Sequence, residues 1–278
     1  MKITTAYISH GGGPLPILES NRPEGESGEN HHKEMIEILQ QLSKDIPKPD
    51  AIVVVSAHWE AASVNVTTGE QPKLIYDYYG FPASAYRLQY PALGIPNLAA
   101  SIVSGLQNKG ISAVTNSRRG FDHGMFIPLT IMYPNADIPC VQVSLCADLD
   151  ASKHLDLGKS LRQILEERQN YEHVLILGSG TSFHNMRAFF DDSEQAHINA
   201  HRFNNWLQDT MASSAIAEPA RLQQLIEWNR APGAIFSHPR PEHLIPLHVC
   251  YGANERNVDN TISLTLLTKP ASMFVWNA

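Results

Sequence analysis

AIVVVSAHWE (51–60) decides how this chain is read. Five consecutive apolar residues lead through Ser56 and Ala57 into a histidine. A continuous apolar run of strand length is what a strand covered on both faces requires, and such strands occupy the middle of parallel sheets. HVLILGSG (173–180) is a second run of this kind, and ITTAYIS (3–9) is a further strand near the start. Between them the apolar spacing turns helical. HKEMIEILQQLSKDI (32–46), PNLAASIVSGLQNKG (96–110) and ASKHLDLGKSLRQILEERQ (151–169) carry it, the second with Pro near its start and Gly at its end. GMFIPLTIMYP (124–134) reads as a kinked helix, and two more helices fall near 193–212 and 218–229. SVNVTT (63–68), CVQVSL (140–145), TISLTLLT (261–268) and MFVW (273–276) read as strands. This alternation predicts one α/β domain over residues 1–278, with a central, mostly parallel sheet flanked by helices. ESNRPEGESGENHH (19–32) reads as a surface loop whose His31–His32 pair opens a helix in solvent.

Composition narrows the classes. The chain has 278 residues, 43% of them hydrophobic, so a substantial core can form. No apolar stretch approaches the roughly 20 residues of a membrane span. MKITTAYISHGGG (1–13) has no apolar signal core. The expectation is a cytoplasmic protein with no membrane partner. The formal charge is −7, and basic residues do not cluster beyond SRR (117–119), which argues against nucleic acid as a partner. Cys140, Cys146 and Cys250 are odd in number and widely spaced, and no CxxC occurs, so buried thiols are expected rather than a disulfide framework.

Histidine stands out, with 13 in the chain. In open α/β sheets, sites form outside the carboxyl ends of the strands. The strand at 3–9 runs into His10, the strand at 51–57 into His58, and the strand at 173–180 through Thr181, Ser182 and Phe183 into His184. If these strands are parallel, three histidines share one edge. Imidazole is the commonest metal ligand, and the glycines after His10 leave room for an ion or ligand. SHPRPEHLIPLHVCYGA (237–253) adds His238, His243 and His248, each five apart. Helical neighbours at that spacing point about 140° apart, so they cannot all address one ion. One of them is a candidate ligand, and Glu242 is its rival, because two histidines and a carboxylate form the usual non-haem iron face. The HExxH pattern of zinc proteases is absent. Asp122-His123-Gly124 is either a helix cap made by Asp122 or a further piece of the site. Trp59, Tyr78, Tyr79, Phe81, Phe126 and Phe183 are candidates to stack on a ring. Arg119, Arg187 and Arg240 are candidates to hold a carboxylate.

Taken together, SHGGGP (9–14), AIVVVSAHWE (51–60), YYGFP (78–82), YPA (90–92), GFDHG (120–124), MYPNADIPCVQVSL (132–145), GSGTSFHNMR (178–187) and HPRPEHLIPLHVCYGA (238–253) resemble the class III extradiol ring-cleaving dioxygenases, in their DOPA 4,5-dioxygenase-like branch. The stretches span most of the chain in order. The chain departs from the branch in having HGGGP where HGSP is common. The resemblance implies a single α/β domain and a metal held by His10, His58 and His243. It implies His184 as acid–base residue near the metal, and His123 as a pocket residue that hydrogen-bonds substrate or oxygen. It also implies a catechol-type substrate opened with O2 and Fe(II) for activity; by the affinity order of divalent metals, a purified sample can hold Zn(II) adventitiously. The rival expectations are a zinc-dependent hydrolase, which three histidines and an open position would suit, and a non-enzymatic binding protein like the Memo proteins of the same superfamily.

Overall fold

Strands buried on both faces lie side by side at the centre of the molecule, and their register brings their ends level. A computed structural model describes residues 1–21, 30–168 and 170–278. Part of the loop expected over 19–32, and Gln169 at the end of the helix expected over 151–169, lie outside the described residues. In chain order the elements are β1 (Lys2–Ser9), α1 (Leu15–Ser20), α2 (Lys33–Asp45), β2 (Ala51–Ala61), β3 (Val64–Thr67), α3 (Pro96–Asn108), β4 (Ala113–Asn116), α4 (His123–Met132), β5 (Cys140–Cys146), α5 (Ala151–Glu166), β6 (His173–Gly180), α6 (Glu194–Ala212), α7 (Glu218–Ile226), α8 (Ala234–Ser237), α9 (Ile245–Gly252), β7 (Asn260–Leu266) and β8 (Lys269–Trp276). They form a single α/β domain around one eight-stranded sheet in the order β4-β3-β5-β2-β6-β1-β8-β7.

The middle strands β5, β2, β6 and β1 are all parallel. Towards the edges the sheet becomes mixed: β3 runs antiparallel to β5, and β8 antiparallel to both β1 and β7. The apolar run of β2 shows why no polar alternation is needed. Ile52 and Val54 pack into the layer that contains α2 and α4, while Val53 and Val55 pack into the layer that contains α3, α5 and α9. A third cluster gathers α6, α7 and Trp276 of β8. Among the described residues no helix is long and apolar enough to cross a membrane. Cys140 and Cys250 are buried, Cys146 is half-buried, and all are free thiols.

Register sets the active edge. Ser9 pairs with Gly180 and Ser56 with Ser179, so β1, β6 and β2 reach the same level together. One expectation needs correcting here. β2 does not stop before His58 but runs on to Ala61. Its ladder with β5 jumps from the pair Val55–Val143 to the pair Glu60–Leu145. His58 therefore lies in a bulged stretch, where the excess residues of one strand re-aim a side chain. β4, α1 and α8, at four, six and four residues, escaped the sequence reading because so few residues carry no measurable period.

A second correction concerns His32. It is buried, not solvated. Its Nδ1 bonds Glu19 Oε2 at 2.8 Å, and its Nε2 accepts the backbone N–H of Gly12 at 3.2 Å. The ring thus props the turn that follows His10. Gly11 in that turn has φ +80°, and a Cβ there would stand 2.6 Å from Pro16 Cγ and 2.9 Å from the His32 ring.

Gly180 closes β6 against the backbone of residue 243, and a Cβ on it would collide with the carbonyl oxygen of His243. Gly180→Ala should cost about 1–3 kcal/mol as an overpacking change and lower the melting temperature by several degrees. Thermal denaturation checks this. An unchanged melting temperature would show that the 243 carbonyl yields freely.

Candidate active site

Each of five histidines reaches one region from a different element. His10 follows β1, its N–H donating to Gly180 O at 3.2 Å. His58 sits in the β2 bulge, where its carbonyl accepts from Arg119 Nη2 at 3.1 Å. His123 opens α4. His184 follows β6, its N–H bonded to Ser237 O at 2.9 Å. His243 precedes α9, and its carbonyl accepts from Tyr7 OH at 2.8 Å and Thr181 N–H at 3.1 Å. His238 and His248 are buried elsewhere, donating Nε2–H to Ser182 O at 2.9 Å and Leu225 O at 3.0 Å. Only His243 joins the cluster.

The rings fall into two kinds of neighbour. His184 and His243 are stacked, centroids 3.4 Å apart and planes at 19°. His58 and His123 lie 3.9 Å apart at 43°. The nearly parallel rings of His184 and His243 hold their in-plane lone pairs side by side, which suits one ion poorly. His10, His58 and His243 differ. Their centroids form a near-equilateral triangle of 4.8, 4.9 and 5.2 Å, with planes inclined at 60°, 82° and 48°. Nε2 of His10 and Nε2 of His58 are 3.0 Å apart. Two nitrogens at right angles on one ion, each about 2.1 Å from it, stand about 3.0 Å apart. By mutual proximity of ligand atoms, within 4.8 Å, the residues also group as His10, His58 and His123, and as His184, Glu242 and His243. Five imidazoles and one carboxylate are therefore the donors that could hold a metal, and their chemistry fits one.

The protons explain why the lone pairs are available. Pro128 lies inside α4 and has no N–H to give to Gly124 O, four residues earlier. Ser179 Oγ donates to that carbonyl instead. Its hydroxyl proton so committed, Ser179 accepts from His10 Nδ1 at 2.9 Å, and His10 keeps Nε2 as a lone pair. His243 Nδ1 donates to Glu242 Oε1 at 2.9 Å, and His184 Nδ1 pairs with the same oxygen at 3.0 Å. His123 Nδ1 donates to Asp77 Oδ1 at 2.8 Å, and its backbone N–H reaches the same oxygen at 3.1 Å. Glu242 thus holds two imidazoles by their Nδ1 protons. Sequence reasoning found Glu242 but gave it a rival's role, and it missed Asp77 and Ser179. Asp77 lies in a loop with no periodic signal, and Ser179 reads as an ordinary small residue of a strand end.

Burial and the neighbouring imidazoles keep His10, His58 and His243 neutral. Burial pushes the imidazole of His10 well down, and His58 and His243 push it further. Burial does the same to His58, with His123 and His243 adding to it. His243 is pushed down to about 4, mainly by burial, with Glu242 opposing. Burial works to raise Glu242, but the hydrogen bonds from His184 and His243 outweigh it and hold the carboxyl far below its usual range. Asp77 likewise ends below its usual range, burial being overcome by the bonds from His123. Asp122 goes the other way, raised by burial. It does not cap α4 with its side chain. It accepts from Ser56 Oγ at 2.7 Å, from Arg119 at 3.0 Å and from Gln142 Nε2, and so ties β2, β5 and α4 together under the site.

The open side is a cleft of about 450 Å³ lined by His184, Glu242, Arg187, Arg240, Phe236 and Met186, among others. The side chain of His184 is 24% exposed, so it stands at the rim. Several candidates for the substrate drop out. Phe126 and Phe183 are core, Trp59 lies buried beneath Arg119, and Tyr79 is 90% exposed. Tyr78 packs edge-on against His123 with Phe81 beside it. Arg119 is spent on Asp122 and the His58 carbonyl, and Arg240 forks onto Glu60. Arg187 remains as a cleft cation.

Comparison with known proteins gives a consistent result. The family model described as the catalytic LigB subunit of aromatic ring-opening dioxygenase matches residues 4–276. The chain is 38% identical over 270 residues to the dioxygenase tasH of Hapsidospora irregularis, covering 88% of this chain and 76% of that one. It is 35% identical to the 4,5-DOPA dioxygenase extradiol of Beta vulgaris (91% and 87% covered) and 31% identical to the protein of the same name in Escherichia coli (91% and 85% covered). Among solved structures, an uncharacterized Escherichia coli protein superposes with a TM-score of 0.73 at 25% identity, covering 99% of both chains.

The buried histidines outside the cluster predict how stability depends on pH. Burial pushes His238 down to about 3 and His248 down to about 4, whereas the unfolded chain protonates a histidine near 6.5. Between those values the unfolded state binds more protons, so stability rises with pH. The contribution is complete above about pH 6.5 and is lost as pH falls towards about 4, by up to about 1.4 kcal/mol per pH unit for each group. The melting temperature of the metal-free protein should fall over this window, and His248→Asn should flatten the slope. An identical slope in the variant would refute the assignment.

Proposed function

We propose that this chain, which belongs to the family of the catalytic LigB subunit of aromatic ring-opening dioxygenases, opens a catechol ring beside its two hydroxyls using O2 and a metal. His10, His58 and His243 would hold that metal, and residues 1–278 would form one catalytic domain. The observation that carries this reading is the triangle of inclined, neutral imidazoles formed by His10 after β1, His58 in the β2 bulge and His243 before α9. Its relatives are named extradiol dioxygenases, which favours oxygen chemistry over the hydrolase and the binding-protein alternatives. Fe(II) is the ion this chemistry needs. Zinc suits the same donors, so zinc in a purified sample would not argue for hydrolysis.

When bound, the iron supplies positive charge that makes the catechol hydroxyls acidic, and a redox centre shared by ring and O2. The chain's own residues do the rest. His184 sits at the cleft rim with Nδ1–H on Glu242, so Nε2 is its free base. It would take a hydroxyl proton, and the Glu242 carboxylate would stabilise the imidazolium that forms. His123, with Nδ1–H on Asp77, offers a second Nε2 acceptor to a substrate hydroxyl. Phe236, in the cleft wall, gives the ring apolar surface.

The test is to load metal-free protein with Fe(II) under nitrogen, then admit air and a panel of small catechols while following O2 uptake and a ring-opened chromophore. Uptake supported by iron and not by zinc is the expected result. His10→Ala, His58→Ala and His243→Ala should fail to retain metal. His184→Ala should retain it and lose about 10²–10⁴-fold in kcat. No uptake across the panel with iron verified as bound would overturn the proposal, and near-normal turnover in His184→Ala would remove that residue from the base role.

A further inference from the structure

His58 is the one cluster imidazole whose proton has no fixed home. The other four donate Nδ1–H to Ser179, Asp77 or Glu242. His58 faces the lone pair of His10 Nε2 across 3.0 Å. Two lone pairs would repel at that distance, so with no ion between them His58 must place its proton on Nε2 and donate to His10. Binding an ion through Nε2 requires the opposite tautomer, with the proton on Nδ1. An oxygen already waits on that side: Asp77 Oδ2 lies 3.8 Å from His58 Nδ1, while Oδ1 of the same carboxylate holds His123.

We propose that Asp77 is a positioning residue shared by two imidazoles, Oδ1 fixing His123 with Nδ1 protonated and Oδ2 receiving the Nδ1 proton of His58 when His58 turns its Nε2 lone pair to a metal. A shift of about 1 Å brings Oδ2 to hydrogen-bond distance. The proton count of the cluster does not change; one proton moves from Nε2 to Nδ1 of the same ring. The carboxylate is well placed for both tasks. It is half-buried, and its Oδ1 is pinned by two bonds from His123, side chain and backbone. His58 packs against His123 at 3.9 Å, so one carboxylate spans the pair. Asp77 is not a member of either group of close ligand atoms, so its effect is on tautomer and ligand orientation. Carboxylates that hold the second nitrogen of a ligating histidine typically change metal affinity 10–100-fold.

This inference rests on the metal-binding reading above, and its test needs no turnover. Zn(II) alone serves as probe, with long-range proton–nitrogen NMR reporting which nitrogen of each imidazole carries hydrogen. In the metal-free wild type, His123 should carry it on Nδ1 and His58 on Nε2, and zinc should move the His58 proton to Nδ1. In Asp77→Ala, zinc affinity should fall 10–100-fold and His123 should populate the Nε2–H form. Asp77→Asn, which preserves size and one acceptor oxygen, should lose less. A wild-type His123 protonated on Nε2, or zinc affinities in both variants within twofold of wild type, would overturn the assignment. Should Asp77→Ala fail to fold, the wild-type tautomers and Asp77→Asn still decide it. No zinc binding by the wild type would instead count against the metal-site reading itself.

Discussion

Crowding imidazoles into one place is tolerable only if the buried ones stay uncharged and each proton has a fixed acceptor. That constraint governs the rest of the structure. Neutrality follows from burial and from mutual repulsion, which push His10, His58 and His243 down together. Orientation follows from acceptors placed behind the rings. Ser179 stands behind His10, Glu242 behind His184 and His243, and Asp77 behind His123. Without acceptors on the Nδ1 side, the tautomers would mix, and lone pairs and protons would meet at random in the centre.

The scaffold supplies those acceptors through ordinary features of an α/β fold. Level strand ends are a consequence of parallel register, and they put His10 beside Gly180 and set Ser56 beside Ser179. A bulge in β2 turns His58 into the same space. A proline inside α4 frees the Gly124 carbonyl, Ser179 satisfies it, and the remaining lone pair of Ser179 settles His10. A residue usually read as a helix defect is thereby linked, through two hydrogen bonds, to the tautomer of a histidine on another strand. Under this layer Asp122 binds Ser56, Arg119 and Gln142, so that β2, β5 and the start of α4 cannot shift independently.

Much of this was legible in the sequence. The strands 51–57 and 173–180 announced themselves because burial on both faces forces continuous apolar runs. Their histidines could be placed at one edge from chain direction alone. What the sequence concealed depends on contacts between distant residues. His32 looked like a solvated helix start because its partner, Glu19, is thirteen positions away. Asp77 lies 46 positions from His123, in a loop where no period marks its direction. Phe126, Phe183 and Trp59 looked like ring-stacking candidates because aromatic residues of the core and of a pocket have the same composition; only burial separates them.

The charge balance gives the placement of the carboxylates a reason beyond tautomers. Three neutral histidines do nothing to offset a divalent ion, and burying uncompensated charge is costly. Two carboxylates held ionised, Asp77 and Glu242, each sit one imidazole behind the triangle. Under the proposed metal-binding reading, they would offset part of a divalent charge through the rings they hold. A carboxylate bound directly would neutralise the ion and take a coordination position. Under the proposed function, the same charge placed behind the rings would leave that position open for substrate. Glu242 next to His243, rather than in its place, is what separates these two designs.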